Sequence, residues 1–246
     1  TQFSYAAWKG GKKGKIFRKN AAKEKLTDIC NQSKILNCKK VIPFASFVYF
    51  SNKMNFYMND SINVPDKVCE HLIKNAVNPI IMQPGEKQDL AELRQDKNSL
   101  EFWKNKYQFS NTNKTIDHYK ENNTFDDLKK YFITYQKKIF SKNSKTLIYL
   151  LYKFSFFGAF KKINIFLLDK NENYEYSIFS GLKKINETQY DISMHSESLS
   201  FIFKNEFGFD TLTVNGCFEC EPKNFSKVSK TLAIGSLNTM GLKLNL

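Results

Sequence analysis

Arginine is almost missing from this chain. Of 38 basic residues among 246, only Arg18 and Arg94 are arginines, and the rest are lysines. A formal charge of +14 raises nucleic acid or an anionic membrane as partners. Guanine edges and phosphates are clamped preferentially by the guanidinium fork, which scattered lysines do not supply. A nucleic-acid partner is therefore not favoured, and lysines interspersed with asparagines read as a solvated surface. Histidine is scarce as well: His71, His118 and His195 form no His-x-His or His-x-x-x-His pair, so no metal-ligand spacing is present. Five cysteines give an odd count, which excludes a disulfide framework and suits a reducing cytoplasm. Cys217 and Cys220 have redox or zinc spacing, yet no second pair completes a site. No apolar run reaches the roughly 18–20 residues of a membrane span. The longest, Thr146 to Phe160, is broken by Lys153, Ser155 and Gly158. A Walker phosphate loop, a dinucleotide fingerprint and a Gly-x-Ser-x-Gly elbow are all lacking.

Apolar material is abundant. Hydrophobic residues make up 41% and aromatics 15%, with 23 Phe and 12 Tyr, enough for a real core. The first residues, without an initiator Met or signal peptide, read as the end of a buried strand entering the glycine-rich loop Gly10-Gly11-Lys12-Lys13-Gly14. The chain is accordingly expected to be the rear part of a larger protein. Ala22, Leu26, Ile29, Cys30, Ser33 and Leu36 recur on one face of a helix over about 20–36. Val41 to Phe50 is β-branched and aromatic, as expected of a strand covered on both faces. It empties into a polar loop from Ser51 to Asp60. Pro65 suits the first turn of a helix carrying Val68, Cys69, Leu72, Ile73 and Ala76. Pro79 to Gln83 reads as a short strand, and Phe102, Trp103 and Tyr107 belong to a further helix. This rhythm is that of an α/β layered domain.

The polar, Asn-rich stretch from Ser110 to Asn123 marks the domain boundary. Thr124 caps a helix with the stripe Phe125, Leu128, Phe132, Tyr135 and Ile139. Two strands, 163–168 and 174–179, flank Asp169-Lys170-Asn171-Glu172-Asn173 as a hairpin, and Tyr190 to Met194 gives a third strand. Ser196 caps a short helix carrying Leu199, Ile202, Phe203 and Phe207, ended by Gly208; Thr211 to Val214 then leads to an Asn-Gly turn. Sequential strands with helices grouped about them indicate an α+β domain. In layered folds, sites gather at the carboxyl ends of strands. Asn52, Asn55, Tyr57 and Asp60, beyond the strand ending near Phe50, are therefore the candidate lining of a pocket. His195-Ser196-Glu197-Ser198 has hydrolase letters without the strained turn that exposes a nucleophile.

Two resemblances sharpen this picture. Phe3-Ser4-Tyr5-Ala6-x-Trp8-x-Gly10, the segment from Pro43 to Asp60, and Gln83-Pro84-Gly85-Glu86 together resemble the C-terminal half of metallo-β-lactamase-fold hydrolases. The likeness covers residues 1 to 110 and is nearest the branch allied with CMP-sialic acid hydroxylase-like and Rieske-associated proteins. It implies an intact parent holding zinc or manganese, whose metal-activated water attacks an ester, amide or phosphoester. The His-x-His-x-Asp-His cluster belongs to the other half of that fold, so this chain alone is expected to hold no catalytic metal and to need that half as partner. The family's last histidine ligand falls about where Asn52 stands here, and an amide is a poor zinc ligand. Over residues 124 to 246, Ser196 to Phe203 followed by Phe207 to Gly216 looks like a sterol-carrier-protein-like domain. That implies a curved sheet and helices around an apolar tunnel, with a lipid or other apolar ligand. The expected architecture is thus an incomplete metallo-β-lactamase-like α/β half-sandwich (1–110), a linker (111–123) and an α+β sterol-carrier-protein-like domain (124–246). The alternative to a hydrolase fragment is a lipid-binding module.

Overall fold

The computed structural model describes residues 11–44, 48–111, 119–120, 122–154 and 158–245. The opening strand and its Trp8, the centre of the 41–50 segment and His118 lie outside them. The chain divides into two units, residues 1–117 and 118–246, and the division falls inside the segment 111–123.

The first unit is built on helices. A short 3-10 turn, Gly11–Lys13, leads into α1 (Lys15–Ile35), which starts earlier than the apolar stripe suggests. Ala22, Leu26, Ile29, Cys30 and Ser33 are buried as the periodicity requires, whereas Leu36 follows the last turn and is exposed. Pro65 opens α2 (Pro65–Lys74), its missing N–H costing nothing in the first turn. Leu26, Ile29, Cys30, Val68, Leu72 and Val77 close into one cluster, against which Val41 packs. The third helix is α3 (Lys97–Asn111), where Trp103 donates to the Met82 carbonyl at 2.9 Å and Tyr107 to that of Val48 at 3.0 Å.

Val41 to Phe50 departs from its expected strand. Its described residues make a single parallel bridge, Val41 to Pro79, and the expected strand at 79–83 shrinks to the other side of that bridge. The apolar run is satisfied differently: Phe50, Ile80 and Ile81 are buried, while their backbones bond to side chains such as Asn59 and Gln95. Hydrophobicity and β-propensity mark burial, but a ladder needs a second chain segment at the right spacing.

In the second unit, α4 (Phe125–Lys142) begins at a reciprocal capping box between Thr124 and Asp127. It is followed by α5 (Lys145–Lys153). The sheet comprises β1 (Ile163–Leu167), β2 (Glu172–Ser177), β3 (Gly181–Ile185), β4 (Ile192–Met194) and β5 (Glu219–Cys220). Its order is β3-β2-β1-β4-β5, with β1 and β4 parallel and the other neighbours antiparallel. The fold is therefore mixed α/β. Register places Ile163 opposite Tyr176, Ile165 opposite Tyr174, and Ile192 opposite both Ile165 and Cys220. These side chains share one face and are buried, while Asn164, Phe166 and Glu175 lie on the other, partly open face.

Helices α6 (Ser196–Lys204), α7 (Gly208–Asn215), α8 (Pro222–Leu232) and α9 (Ile234–Thr239) complete the unit. Gly208 thus begins a helix rather than ending one, and 211–214 is helical. A Cβ at Gly208 would stand 2.5 Å from the Ile202 Cα, so glycine is needed there for close backbone approach. No helix among the described residues is long and apolar enough to cross a membrane.

Candidate functional site

Asn52, Asn55, Tyr57 and Asp60 fall together in one loop of the first unit, around the 3-10 helix Phe56–Ser61. Two turn inward and shape the loop. The Asn52 side chain accepts from the Met54 N–H at 2.8 Å, an Asx turn, and its carbonyl accepts from the Asn55 and Phe56 N–H groups. Asn55 is buried, and its carbonyl accepts from the Met58 N–H. Asn59 fastens the loop further by accepting from the Phe50 N–H and donating to the Phe50 and Phe56 carbonyls. The other two converge on Arg18, one of the chain's two arginines. Its Nε and Nη2 donate to the two Asp60 oxygens at 3.2 and 2.8 Å, and its guanidinium lies 4.7 Å from the Tyr57 ring centroid. Arg18 is only 1% exposed. A bidentate partner and a ring face are what such a buried cation requires. Arg18 lies outside the apolar stripe that the sequence assigns to the helix over about 20–36. The missed signal is that Arg18, Ala22 and Leu26 stand at steps of four, so the buried stripe extends one turn further back.

Zinc or manganese does not fit these residues as placed. Asn52 at the expected last-ligand position has its oxygen committed to a backbone N–H. No group of three or more His, Cys, Asp or Glu side chains suited to a metal occurs among the described residues. His71 and His195 belong to different units.

In the second unit the hydrolase letters do converge, in an order that serves structure. The Ser196 hydroxyl donates to Asp169 Oδ2 at 2.7 Å, and the Ser196 N–H donates to Oδ1 at 2.8 Å. His195 is the N-cap of α6, one residue earlier than expected, and its Nδ1 accepts from the Glu197 N–H at 3.1 Å. Its Nε2 stands 3.9 Å from Asp169. Nucleophilic catalysis would need the serine proton directed to imidazole and the carboxylate behind it. Here the serine hydroxyl donates its hydrogen bond to the carboxylate instead, and Ser196 is wholly buried. Burial works to raise the Asp169 carboxyl, but the Ser196 hydroxyl and N–H, with His195 nearby, outweigh it and hold the group below the ordinary aspartate value. The cluster ties β1 to the start of α6. Tyr119, stacked on His195 with ring centroids 3.9 Å apart, covers it.

Beneath the sheet's buried face lies the feature with most chemical content. Phe132 and Tyr135 of α4, Phe203 of α6 and Tyr176 of β2 form one aromatic group with centroid separations of 5.5 to 6.0 Å. The hydroxyls of Tyr135 and Tyr176 are buried, and neither makes a hydrogen bond of normal geometry. Burial pushes both phenols up, and for Tyr176 the neighbouring Tyr135 adds to it. The carriers are ordinary members of the α4 stripe and the β2 alternation, so the sequence shows that they are buried but not that their hydroxyls lack partners.

Cys220 is buried at the sheet edge and Cys217 is half-buried beyond α7; both are free thiols. Burial, with Asp191 and neighbouring carboxylates, pushes the Cys220 thiol up to about 12. Comparison with protein families, with curated proteins and with solved structures returns no match.

Proposed function

We propose that the second unit is a binding module for an amphiphilic ligand, in the manner of a sterol-carrier-protein-like domain. The reading is carried by the two buried phenol hydroxyls, those of Tyr135 and Tyr176, which lack a hydrogen bond of normal geometry and belong to one aromatic group. A buried polar group left unsatisfied costs about 1–3 kcal/mol, and native proteins rarely keep two together without a partner. A ligand with an apolar body and one polar end, such as a hydroxyl or carboxyl group, supplies that partner and suits the Phe132 and Phe203 rings. A binding module stands ahead of a hydrolase fragment because Asn52 spends its side-chain oxygen on a backbone N–H and Asp60 its carboxylate on Arg18.

The test combines native mass spectrometry of the full chain with displacement of a fluorescent fatty acid. Co-purifying acyl or sterol-like masses are expected. Tyr135→Phe with Tyr176→Phe should weaken the carboxyl-ended probe about tenfold, from two lost hydrogen bonds of about 0.5–1.5 kcal/mol each. The same variant should be more stable than the parent without ligand, since the unsatisfied hydroxyls are gone. Absence of any bound or displaceable amphiphile, or a ligand-free variant less stable than the parent, would refute the reading.

A further inference from the structure

Lys153, Lys161, Lys162 and Lys227 line a concave surface of ≈ 500 Å³ in the second unit, with Tyr152 as its other wall. Lys162 is paired with Glu175 at 2.9 Å and Lys227 with Asp191 at 2.7 Å. Lys153 and Lys161 are exposed and make no ion pair among the described residues, so the cleft keeps a local excess of two positive charges.

One side of this cleft is the end of α5, an unusual helix. Of its nine residues, Lys145–Lys153, only Ile148 is buried. At 3.6 residues per turn, Lys145, Thr146, Tyr149, Leu150 and Lys153 occupy one half of its circumference, and all five are exposed. Tyr149 is 48% and Leu150 37% exposed, and Phe154, directly after the helix, is 62% exposed. Exposed aromatic and leucine side chains set among lysines are the composition of a segment lying in the headgroup region of a bilayer. A free phosphate would use the cleft and ignore Tyr149 and Leu150, and nucleic acid would have no use for Leu150.

We propose that α5 and the lysine cleft form a docking face for an anionic lipid bilayer, with headgroup phosphates at Lys153 and Lys161 and with Tyr149 and Leu150 entering the interface. The face is separate from the phenol pair and does not depend on it. A lysine near an anionic membrane contributes about 1 kcal/mol, roughly fivefold in partitioning.

Co-sedimentation of the full chain with phosphatidylcholine vesicles, with or without phosphatidylserine, reads the effect. Binding is expected only with phosphatidylserine and should fall as salt rises, since screening shortens from about 10 Å at 0.1 M to about 3 Å at 1 M. K153E with K161E should lower partitioning at least about 25-fold, and L150D should lower it further, with thermal melts unchanged because these side chains are exposed. K12E with K23E, the same change in net charge in the first unit, should alter it little. The two tyrosine-to-phenylalanine changes should leave it unaltered. Equal binding to both vesicle types, equal loss in the first-unit control, release by millimolar inorganic phosphate, or preferential capture by a short RNA would each overturn the proposal.

Discussion

At the residue scale, the polar side chains of this protein work by fastening backbone. Asp169 shows it best: one carboxylate takes both the hydroxyl and the N–H of Ser196 and so fixes where β4 turns into α6. Hydrogen bonds to a charged group are worth about 1.5–3 kcal/mol, and the charge makes this one sensitive to pH. Because the folded-state value lies below the ordinary 3.8, the contribution is full well above that pH and is lost as pH falls through the depressed value. Urea unfolding of the parent and of Asp169→Asn should therefore differ by a constant amount from pH 7 to about 5 and converge below the ordinary aspartate value. A gap that persists unchanged at the lowest accessible pH would show that the carboxylate charge is not what Ser196 uses. Asn143 and Asn238 make a neutral counterpart. Each donates its amide to the other's carbonyl, at 2.7 and 2.9 Å, and Asn143 also accepts from the Leu244 N–H.

At the scale of elements, the α6–α7 junction is the tightest seat in the second unit. The backbone of Gly208 lies against Ile202 and Phe201, where any side chain would meet main-chain atoms that cannot rotate away. Gly208→Ala should cost about 3 kcal/mol, the upper end of what overpacking usually costs. A shift in the urea midpoint at unchanged slope would measure it, and a neutral result would show that the junction yields. Helices α4 and α6 set Phe132 and Phe203 against Tyr176 on the sheet's buried face. Their stripes were readable where periodicity was clean, as with Leu128, Phe132, Tyr135 and Ile139 of α4, all buried. The α7 segment carries no clean periodic signal, because Thr211, Thr213 and Val214 are β-branched and Gly208 reads as a helix end. Its helix is set by packing against α6 and α9, and propensity yields to such contacts.

At the scale of the whole molecule, the five thiols report both units at once. Cys38 is exposed and Cys217 half-buried, whereas Cys30, Cys69 and Cys220 are buried with their thiols pushed up, chiefly by burial. Reaction with a neutral alkylating reagent near pH 8 should modify Cys38 first and Cys217 more slowly, with the other three reacting only in denaturant. Early labelling of Cys220, followed by peptide mass mapping, would contradict the sheet edge described for it. The sequence by itself determined a mixed α/β chain, most of the inward faces of α1 and α4, the β1–β2 hairpin, and on α2 only Val68, Cys69 and Leu72, since Ile73 and Ala76 of its expected stripe are exposed. Those features repeat at the period of their own element, so each window carries its own signal. The tertiary structure alone decided that the described residues of 41–50 make a bridge rather than a strand, that Arg18 is buried on Asp60, that the Ser196 hydroxyl donates to Asp169, and that the Tyr135 and Tyr176 hydroxyls lack a hydrogen bond of normal geometry. Each depends on a partner many residues away along the chain, and the cost of burying a charge or a hydroxyl is settled only by what stands beside it.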